Sequence, residues 1–205
     1  MTDLSTFAIF FAAALTLAVI PGPGMLYVLA RTLRGGRREG VLSTLGTAVA
    51  GFLHTFAAAL GISAILATSA LAFAVVKWLG VAYLVYLGVK TLFEKSSSGE
   101  VDLTPVSYKG AFRQGIVAEA LNPKTALFFL AFIPQFVNPD GNVFWQFVML
   151  GTVTTLLTSG VDLLVAFGAG PLSRVLKRSR PLQRVQRFGS GGLLIGLGVY
   201  VAADG

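Results

Sequence analysis

The feature that most constrains this chain is a series of long apolar runs separated by short segments. Six runs approach or exceed the length with which a helix crosses a bilayer, at 7–29, 41–67, 71–93, 111–136, 144–168 and 188–202. Only 12% of the 205 residues are charged, against about 25% in ordinary globular chains. So few charges cannot cover so apolar a chain in water. The runs predict an all-α polytopic membrane protein with six transmembrane helices, and they exclude a soluble enzyme or a disordered chain.

Two details qualify this division into spans. The fourth run contains the polar residues Arg113, Glu119, Asn122 and Lys124. Five spans plus a buried amphipathic helix at this run is therefore an alternative. The connection at Thr68 and Ser69 is short enough to be a tight hairpin between antiparallel spans. The chain is expected to be one transmembrane domain, 1–205, with a first repeat at about 6–93, a cytoplasmic linker at about 94–109 and a second repeat at about 110–203.

The positions of the charges predict an orientation. All of the 16 basic residues except Lys77 and Lys124 fall on alternate connections. The three basic groups are Arg31, Arg34, Arg37 and Arg38; Lys90, Lys95, Lys109 and Arg113; and Arg174, Lys177, Arg178, Arg180, Arg184 and Arg187. The opposite side has Asp3, Asp140 and Asp204 without Lys or Arg. The positive-inside rule then places both termini on the periplasmic side, and the basic residues face lipid headgroups rather than nucleic acid. Segment 173–187 is expected to be a solvated loop, with a surface helix as the alternative.

Several kinds of chemistry are excluded by the residues that are missing. The chain has no cysteine and one histidine, so disulfides, thiolate catalysis and Cys-based or His-rich metal sites are not expected. It has no Walker motif, no GxGxxG on a strand–helix unit, no HExxH and no Ser–His–Asp spacing. We therefore expect neither an enzyme nor a bound cofactor or metal.

The second half of the sequence repeats features of the first. Gly22-Pro23-Gly24 corresponds to Asn122-Pro123-Lys124, 100 residues later. The other matches are Gly46-Thr47 with Gly151-Thr152, and Leu87-Gly88-Val89 with Leu197-Gly198-Val199. Each repeat contains three spans, an odd number, so the second must enter the membrane upside down relative to the first. This predicts two inverted three-helix repeats, an architecture of secondary transporters whose substrate site lies near the midplane.

Helices one and four are predicted to be broken within the membrane. The first break contains Pro21, Gly22, Pro23 and Gly24, and the second contains Asn122, Pro123 and Lys124. Proline removes a backbone donor, and the freed backbone groups must be buried in protein or line a wet cavity. The half-helix ends can bind a carboxylate or an ammonium group. A single break of this kind favours a packing kink, whereas paired breaks favour a substrate site formed by these seven residues and Asp162.

Ionisable residues within the spans are candidates for proton coupling. Asp162 is the first candidate, because its run contains no other charged residue. Glu119 is the second, with an internal pair to Lys124 or Arg113 as the alternative. His54 is the third, although a lone histidine more often makes a packing hydrogen bond.

The ordered motifs resemble the lysine-exporter (LysE/RhtB) family of bacterial amino-acid exporters along essentially the whole chain. The motifs are the first break followed by Leu26-Tyr27-Val28, the arginine-rich segment at 35–40, Gly46-Thr47, the segment at 82–88, Leu121-Asn122-Pro123-Lys124, Phe128-Phe129 and the segment at 133–136. The resemblance implies an inner-membrane exporter of amino acids or their small derivatives, driven by the proton gradient. The pattern is closer to the homoserine/threonine-exporter branch than to dedicated lysine exporters.

Together these observations predict a secondary active exporter, with proton-coupled antiport as its mechanism. The expected partners are a small zwitterionic amino acid, protons, the lipid bilayer and a second copy in a homodimer. The proposed site joins the two breaks with Lys124 and Asp162, because a zwitterion needs one cationic and one anionic partner. The alternative is an uncoupled channel or a membrane scaffold protein.

Overall fold

The part of the chain that the structure describes is mostly helical. The computed structural model describes residues 4–68, 70–93 and 106–178, with isolated helical positions between 188 and 199. A π-helical turn, Phe128–Phe132, and a 3₁₀ turn, Ile133–Phe136, follow the fifth helix. The helices are α1 Leu4–Val19, α2 Pro23–Thr68, α3 Ala70–Phe93, α4 Tyr108–Ala120, α5 Pro123–Leu127 and α6 Val143–Arg178. The predicted all-α class is therefore confirmed for this part of the chain.

Helix α2 is two helices joined at Gly36. Gly36 has a φ of 80° and a ψ of −179°, a backbone conformation that only glycine adopts at low cost. The apolar stretch Pro23–Ile65 has 43 residues. As one straight helix it would be about 65 Å long, roughly twice the hydrocarbon thickness of a bilayer. We call 23–35 the first arm and 37–68 the second arm of α2.

The expected loop between these arms is almost absent, and this part of the sequence prediction is wrong. The segment that holds Arg31, Arg34, Arg37 and Arg38 is helical on both sides of Gly36. Arg31 is buried within the bundle rather than solvated. The prediction treated all four arginines as topogenic surface charges, because position along the chain alone does not distinguish a buried cation from an exposed one.

Two helices are long and apolar enough to cross a membrane by themselves, Pro23–Ile65 and Val143–Gly168, within the described residues. Tyr108–Ala120 and Lys124–Phe136 pass the same test as a bent pair with an angle of 54°. The structure thus contains two or three candidate spans among its described residues. The run at 188–202 lies outside them except at isolated positions, so six spans and inverted repeats stay predictions.

The bundle combines buried hydroxyl side chains with a strongly apolar outer surface. Its interior contains hydroxyl side chains of the second arm and α6, namely Ser43, Thr44, Thr47, Thr55, Thr154 and Thr155. The outer faces of the same helices carry leucines that are more than half exposed, Leu53, Leu60, Leu156 and Leu164. Lipid is the solvent that such a surface requires, because water would not tolerate this much exposed apolar area.

Small residues let the second arm contact two helices at close range. A Cβ atom at Gly46 would overlap the carbonyl oxygen of Phe112, and the Cα of Gly115 is 3.1 Å from that position. Against α6, a Cβ at Gly51 would lie 2.8 Å from Thr155 Cγ2, and one at Gly151 would lie 2.5 Å from Thr55 Cγ2. Position 51 contacts 155 and position 55 contacts 151, so the second arm and α6 run in antiparallel directions.

A cluster of phenylalanines fills the end of the bundle that is farther from Gly36. Phe10 on α1 packs at 6.1 Å from Phe132 and 5.4 Å from Phe136, measured between ring centroids. Phe128 lies 4.6 Å from Phe132 in the same measure. We refer to these four residues as the aromatic cluster. It joins the half-helix before the first break to the turns that follow the second break.

The segment expected as a loop after span five is also partly helical. Helix α6 continues through Arg178, so the solvated-loop interpretation is wrong for 173–178. Positions 179–187 lie outside the described residues, as does the linker at 94–105.

We predict that Gly46→Val destabilises the protein strongly while Gly61→Val does not. Valine at 46 would overlap the backbone of α4, and overpacking of this kind costs about 1–3 kcal/mol or more. Gly61 lies on the same arm, and a Cβ atom there would have no described atom within 4 Å, so it serves as the matched control. Thermal unfolding of the purified variants in detergent measures the difference. Equal shifts in the two unfolding midpoints would contradict the packing.

Candidate functional site

The first break frees a carbonyl group that a lysine from the second break then bonds. Helix α1 ends at Val19 and α2 begins at Pro23. The carbonyl of Leu17 would bond the N–H of residue 21 in a continuous helix, but Pro21 has none. Lys124 Nζ donates to Leu17 O at 3.1 Å and to Ile20 O at 2.7 Å. A cation thus lies at the C-terminal end of a half-helix, where the helix dipole favours it.

The second break frees a carbonyl in the same way. Helix α4 ends at Ala120 and α5 begins at Pro123, whose missing N–H would otherwise bond Glu119 O. His54 Nε2 lies 3.1 Å from Glu119 O, and the N–H of Asn122 donates to the same oxygen at 3.0 Å. Because a carbonyl oxygen only accepts hydrogen bonds, Nε2 is the donor. His54 therefore bonds the second break, as the packing interpretation of the sequence expected.

The carboxylate of Glu119 lies at the beginning of the first arm of α2. Its Oε1 accepts a hydrogen bond from Thr125 Oγ1 at 2.6 Å, and its Oε2 accepts one from Asn122 Nδ2 at 3.1 Å. A Cβ atom at Gly24 would overlap Oε2, so only glycine leaves room for this approach. The N-terminal end of a helix favours an anion.

The two charges of the second break therefore lie at opposite ends of the first break. Lys124 bonds the end of α1, and Glu119 lies against the start of α2. The alternative interpretation of Glu119, a direct ion pair with Lys124 or Arg113, is not found in the described part of the structure. Among the described residues no Lys or Arg nitrogen lies within 4 Å of Glu119, and Arg113 is exposed. The end of α1, a kind of partner that sequence reasoning treated as a supplement, is the principal partner of Lys124.

Asp162 reaches the same region from α6. It is 7% exposed, and its Oδ2 lies 3.2 Å from Thr47 Oγ1. Thr47 Oγ1 also lies 2.9 Å from the carbonyl oxygen of Thr44. A hydroxyl has one proton to donate, so it cannot donate to both oxygens at once.

A small cavity lies between Glu119 and Asp162. Its volume is about 30 Å³, room for one or two water molecules. It is lined by both carboxylates and a set of hydroxyl residues, with the full lining Leu17, Thr47, Gly51, Glu119, Thr125, Phe129, Thr154, Thr155, Thr158 and Asp162. Sequence reasoning identified the acids but missed the threonines, because hydroxyl residues in an apolar run are also common as helix-packing residues.

The predicted site residues are thus brought together from four elements. Gly22, Gly24, Asn122 and Lys124 meet where the two breaks face each other, and Pro21 and Pro23 frame the first break. Pro123 is the first residue of α5. Asp162 lies across the cavity, and His54 lies behind Glu119.

A second polar cluster, which the sequence analysis did not predict, lies between the breaks and Gly36. Tyr27 Oη donates to Ala111 O at 2.8 Å. Arg31, 1% exposed, donates to Gln114 Oε1 and has its Nη1 3.8 Å from Glu39 Oε2. These contacts join the first arm of α2 to α4. The available signal was the spacing of four between Tyr27 and Arg31, which places both on one helix face.

Comparisons with known proteins find a matching family model and several similar membrane proteins. The family model described as "LysE type translocator" matches residues 15–205. An "Uncharacterized membrane protein YrhP" of Bacillus subtilis is 34% identical over 196 residues, covering 91% of this chain and 93% of that protein. The "Homoserine/homoserine lactone efflux protein" of Salmonella typhimurium is 30% identical over 205 residues, covering 93% and 95%. No solved structure matches.

We predict that Asn122→Ala lowers stability more than Asn138→Ala. Asn122 is buried, and its side chain both accepts from Lys124 N–H at 3.1 Å and donates to Glu119. Loss of such a cap costs about 0.5–2 kcal/mol, and the partners left behind are buried. Asn138 accepts from Asp140 N–H in an exposed turn, where water replaces the lost bond. Thermal unfolding in detergent compares the two, and an Asn122→Ala midpoint no lower than that of Asn138→Ala would be evidence against this role.

Proposed function

The chain belongs to the family of LysE type translocators, and from this premise we propose that it exports small amino acids or their derivatives by proton antiport. As a family member it is a membrane transporter and not an enzyme. The Salmonella relative is named for the efflux of homoserine and its lactone. That name supports the class of substrate proposed here. The proposed location is the bacterial inner membrane.

The observation that carries this proposal is the meeting of the two broken helices. One half-helix ends at a lysine ammonium, and the next begins at a glutamate carboxylate. A zwitterion carries the same two charges at short separation. The interior already holds a cation at the C-terminal end of one half-helix and an anion beside the N-terminal end of the next, as the helix dipoles favour. Such a site is suited to a molecule with an ammonium and a carboxylate.

Asp162 is the proposed proton carrier. If Thr47 donates its single proton to Thr44 O, the nearer acceptor, then its contact with Asp162 is a hydrogen bond only when the carboxyl carries a proton. A substrate ammonium near Asp162 would favour the ionised carboxylate and release that proton. Competition between proton and substrate at one carboxyl group gives antiport directly.

Transport by this site requires an opening movement. The cavity has room for only about one or two water molecules, so it is too small for an amino acid. The two broken helices are joined by the Tyr27 and Arg31 contacts on one side of the breaks and by the aromatic cluster on the other. We propose that these contacts open alternately.

The paired breaks and the reciprocal contacts of Gly51 and Gly151 support inverted repeats.

Uphill transport in proteoliposomes tests the proposal. Vesicles with an acidic lumen are expected to accumulate radiolabelled homoserine above the outside concentration, because protons leaving the lumen drive the substrate inward. The alternative, an uncoupled channel, would only equalise the two concentrations. A scaffold protein would leave the vesicles no more permeable than protein-free ones.

We predict that Asp162→Asn abolishes this accumulation without unfolding the protein. Asparagine preserves the shape of the side chain but cannot carry a proton between the two sides. Exchange of labelled for unlabelled homoserine, which needs no net proton movement, is expected to persist. Asp140→Asn, on an exposed turn, is the matched control and should transport normally. If the Asp162→Asn protein still accumulated homoserine, Asp162 would not be the proton carrier, and Glu119 or His54 would be tested next.

We predict that Asn138 faces the periplasm and Arg178 the cytoplasm. The protein has no cysteine, so single cysteines at these positions are the only thiols. Asn138→Cys should react with a membrane-impermeant maleimide in intact cells, whereas Arg178→Cys should react only after the inner membrane is permeabilised. The reversed pattern would overturn the orientation taken from the loop charges.

A further inference from the structure

We propose that Lys124 occupies, with its own ammonium, the position that the substrate's ammonium takes during transport. The substrate displaces this ammonium only when it also brings a free carboxylate to receive it. This inference rests on the proposed function, and it assigns the C-terminal end of α1 as the subsite for the substrate's amino group.

The chemistry of that helix end fits a primary ammonium. Two carbonyl oxygens, of Leu17 and Ile20, converge on Lys124 Nζ at 3.1 and 2.7 Å. An α-ammonium has the same charge and the same three N–H donors as a lysine ammonium. Any primary ammonium in place of Nζ would make the same two hydrogen bonds.

The lysine side chain can leave without disturbing the helix that carries it. The backbone N–H of Lys124 is held by Asn122 Oδ1 at 3.1 Å, so the start of α5 does not depend on the ammonium contacts. The side chain passes Gly22, where a Cβ would lie 3.2 Å from Lys124 Cδ and 3.5 Å from Nζ. Gly22 thus leaves a path open along which the ammonium reaches α1.

The displaced ammonium needs a new anionic partner. The oxygens of Glu119 already accept hydrogen bonds from Thr125 and Asn122, and Asp162 contacts Thr47. A buried, unpaired ammonium would be costly. The carboxylate of an incoming amino acid supplies an anion that arrives together with the competing ammonium, while the two protein carboxylates keep the positions that these contacts give them. An amine without a carboxylate brings no such anion.

This exchange makes Lys124 a selectivity residue. In the wild-type protein a free amino acid should bind more tightly than its amide, because only the acid compensates for the displaced lysine. Removal of the lysine side chain should leave the carbonyls open to any primary ammonium. A lysine that bound only the substrate's carboxylate would behave differently, since its loss would weaken the binding of the acid and leave that of the amide unchanged.

The first experiment compares ethylammonium with tetramethylammonium on Lys124→Ala, with Lys109→Ala on the exposed face of α4 as the matched control. Thermal unfolding in detergent reports binding to the folded protein. Ethylammonium, which has N–H donors, should raise the midpoint of Lys124→Ala. Tetramethylammonium, which has no N–H donors, should not raise it. The wild-type protein and Lys109→Ala should show the same midpoint shift as each other with each ion. Equal effects of both ions on Lys124→Ala would overturn the subsite.

The second experiment measures the binding of alanine and alaninamide by the same assay. The wild-type protein should prefer alanine about tenfold, or about 1.4 kcal/mol, and Lys124→Ala should gain affinity for alaninamide by a similar factor. Gly22→Ala retains the lysine but crowds its path, so it should raise the amide-to-acid ratio even if Lys124→Ala does not fold. Unchanged binding of alaninamide in both variants would overturn the exchange. Because binding is read without transport, a failure of proton antiport in vesicles is a separate result.

Discussion

Backbone carbonyl groups that cannot be left unbonded in an apolar interior determine how this site is built. Pro21 and Pro123 each remove the donor that a carbonyl one turn earlier would use. Lipid offers no replacement, so the protein supplies side chains from other segments. Lys124 bonds the carbonyl freed by Pro21, and His54 bonds the one freed by Pro123. Each break is thus completed by a titratable residue from elsewhere in the chain.

This arrangement explains why the charged residues of the second break do not pair with each other. A direct ion pair would leave the ends of the half-helices without partners. Lys124 bonds the carbonyls at the end of α1, and the Glu119 carboxylate lies beside the start of α2. The helix dipoles reinforce both contacts. The pair of breaks is therefore one electrostatic unit, although its parts are about 100 residues apart.

The second arm of α2 provides the frame for this unit. It contacts α4 through Gly46 and α6 through Gly51 and Thr55, and all these contacts depend on small residues. The two sides of the breaks differ in chemistry, with a buried arginine and tyrosine toward Gly36 and stacked phenylalanines on the other side. Water entering from the Gly36 side can replace the polar contacts, whereas apolar rings separate at the cost of exposing their surface.

Much of this protein follows from its sequence alone, because local physical rules suffice. Apolar runs and the scarcity of charge indicate a helical membrane protein, and proline within a run marks a break wherever the run lies. The positions of both breaks were predicted correctly for that reason. Asp162, Glu119 and Lys124 were chosen as candidates because an ionisable group inside a membrane span is costly. A protein that keeps such a group typically uses it for function.

The tertiary structure alone decided which group bonds which. Arg31 resembled a surface charge in sequence, but packing of α4 against the first arm buries it. Thr47, Thr154 and Thr158 carry no local signal, since a hydroxyl in an apolar helix becomes part of a cavity only when neighbouring helices converge on it. Lys124 and Glu119 are five residues apart, and proximity in sequence suggested an ion pair. Lys124 instead bonds the carbonyls at the end of α1, and Glu119 bonds Thr125 and Asn122 beside the start of α2, because only the folded bundle brings these groups together.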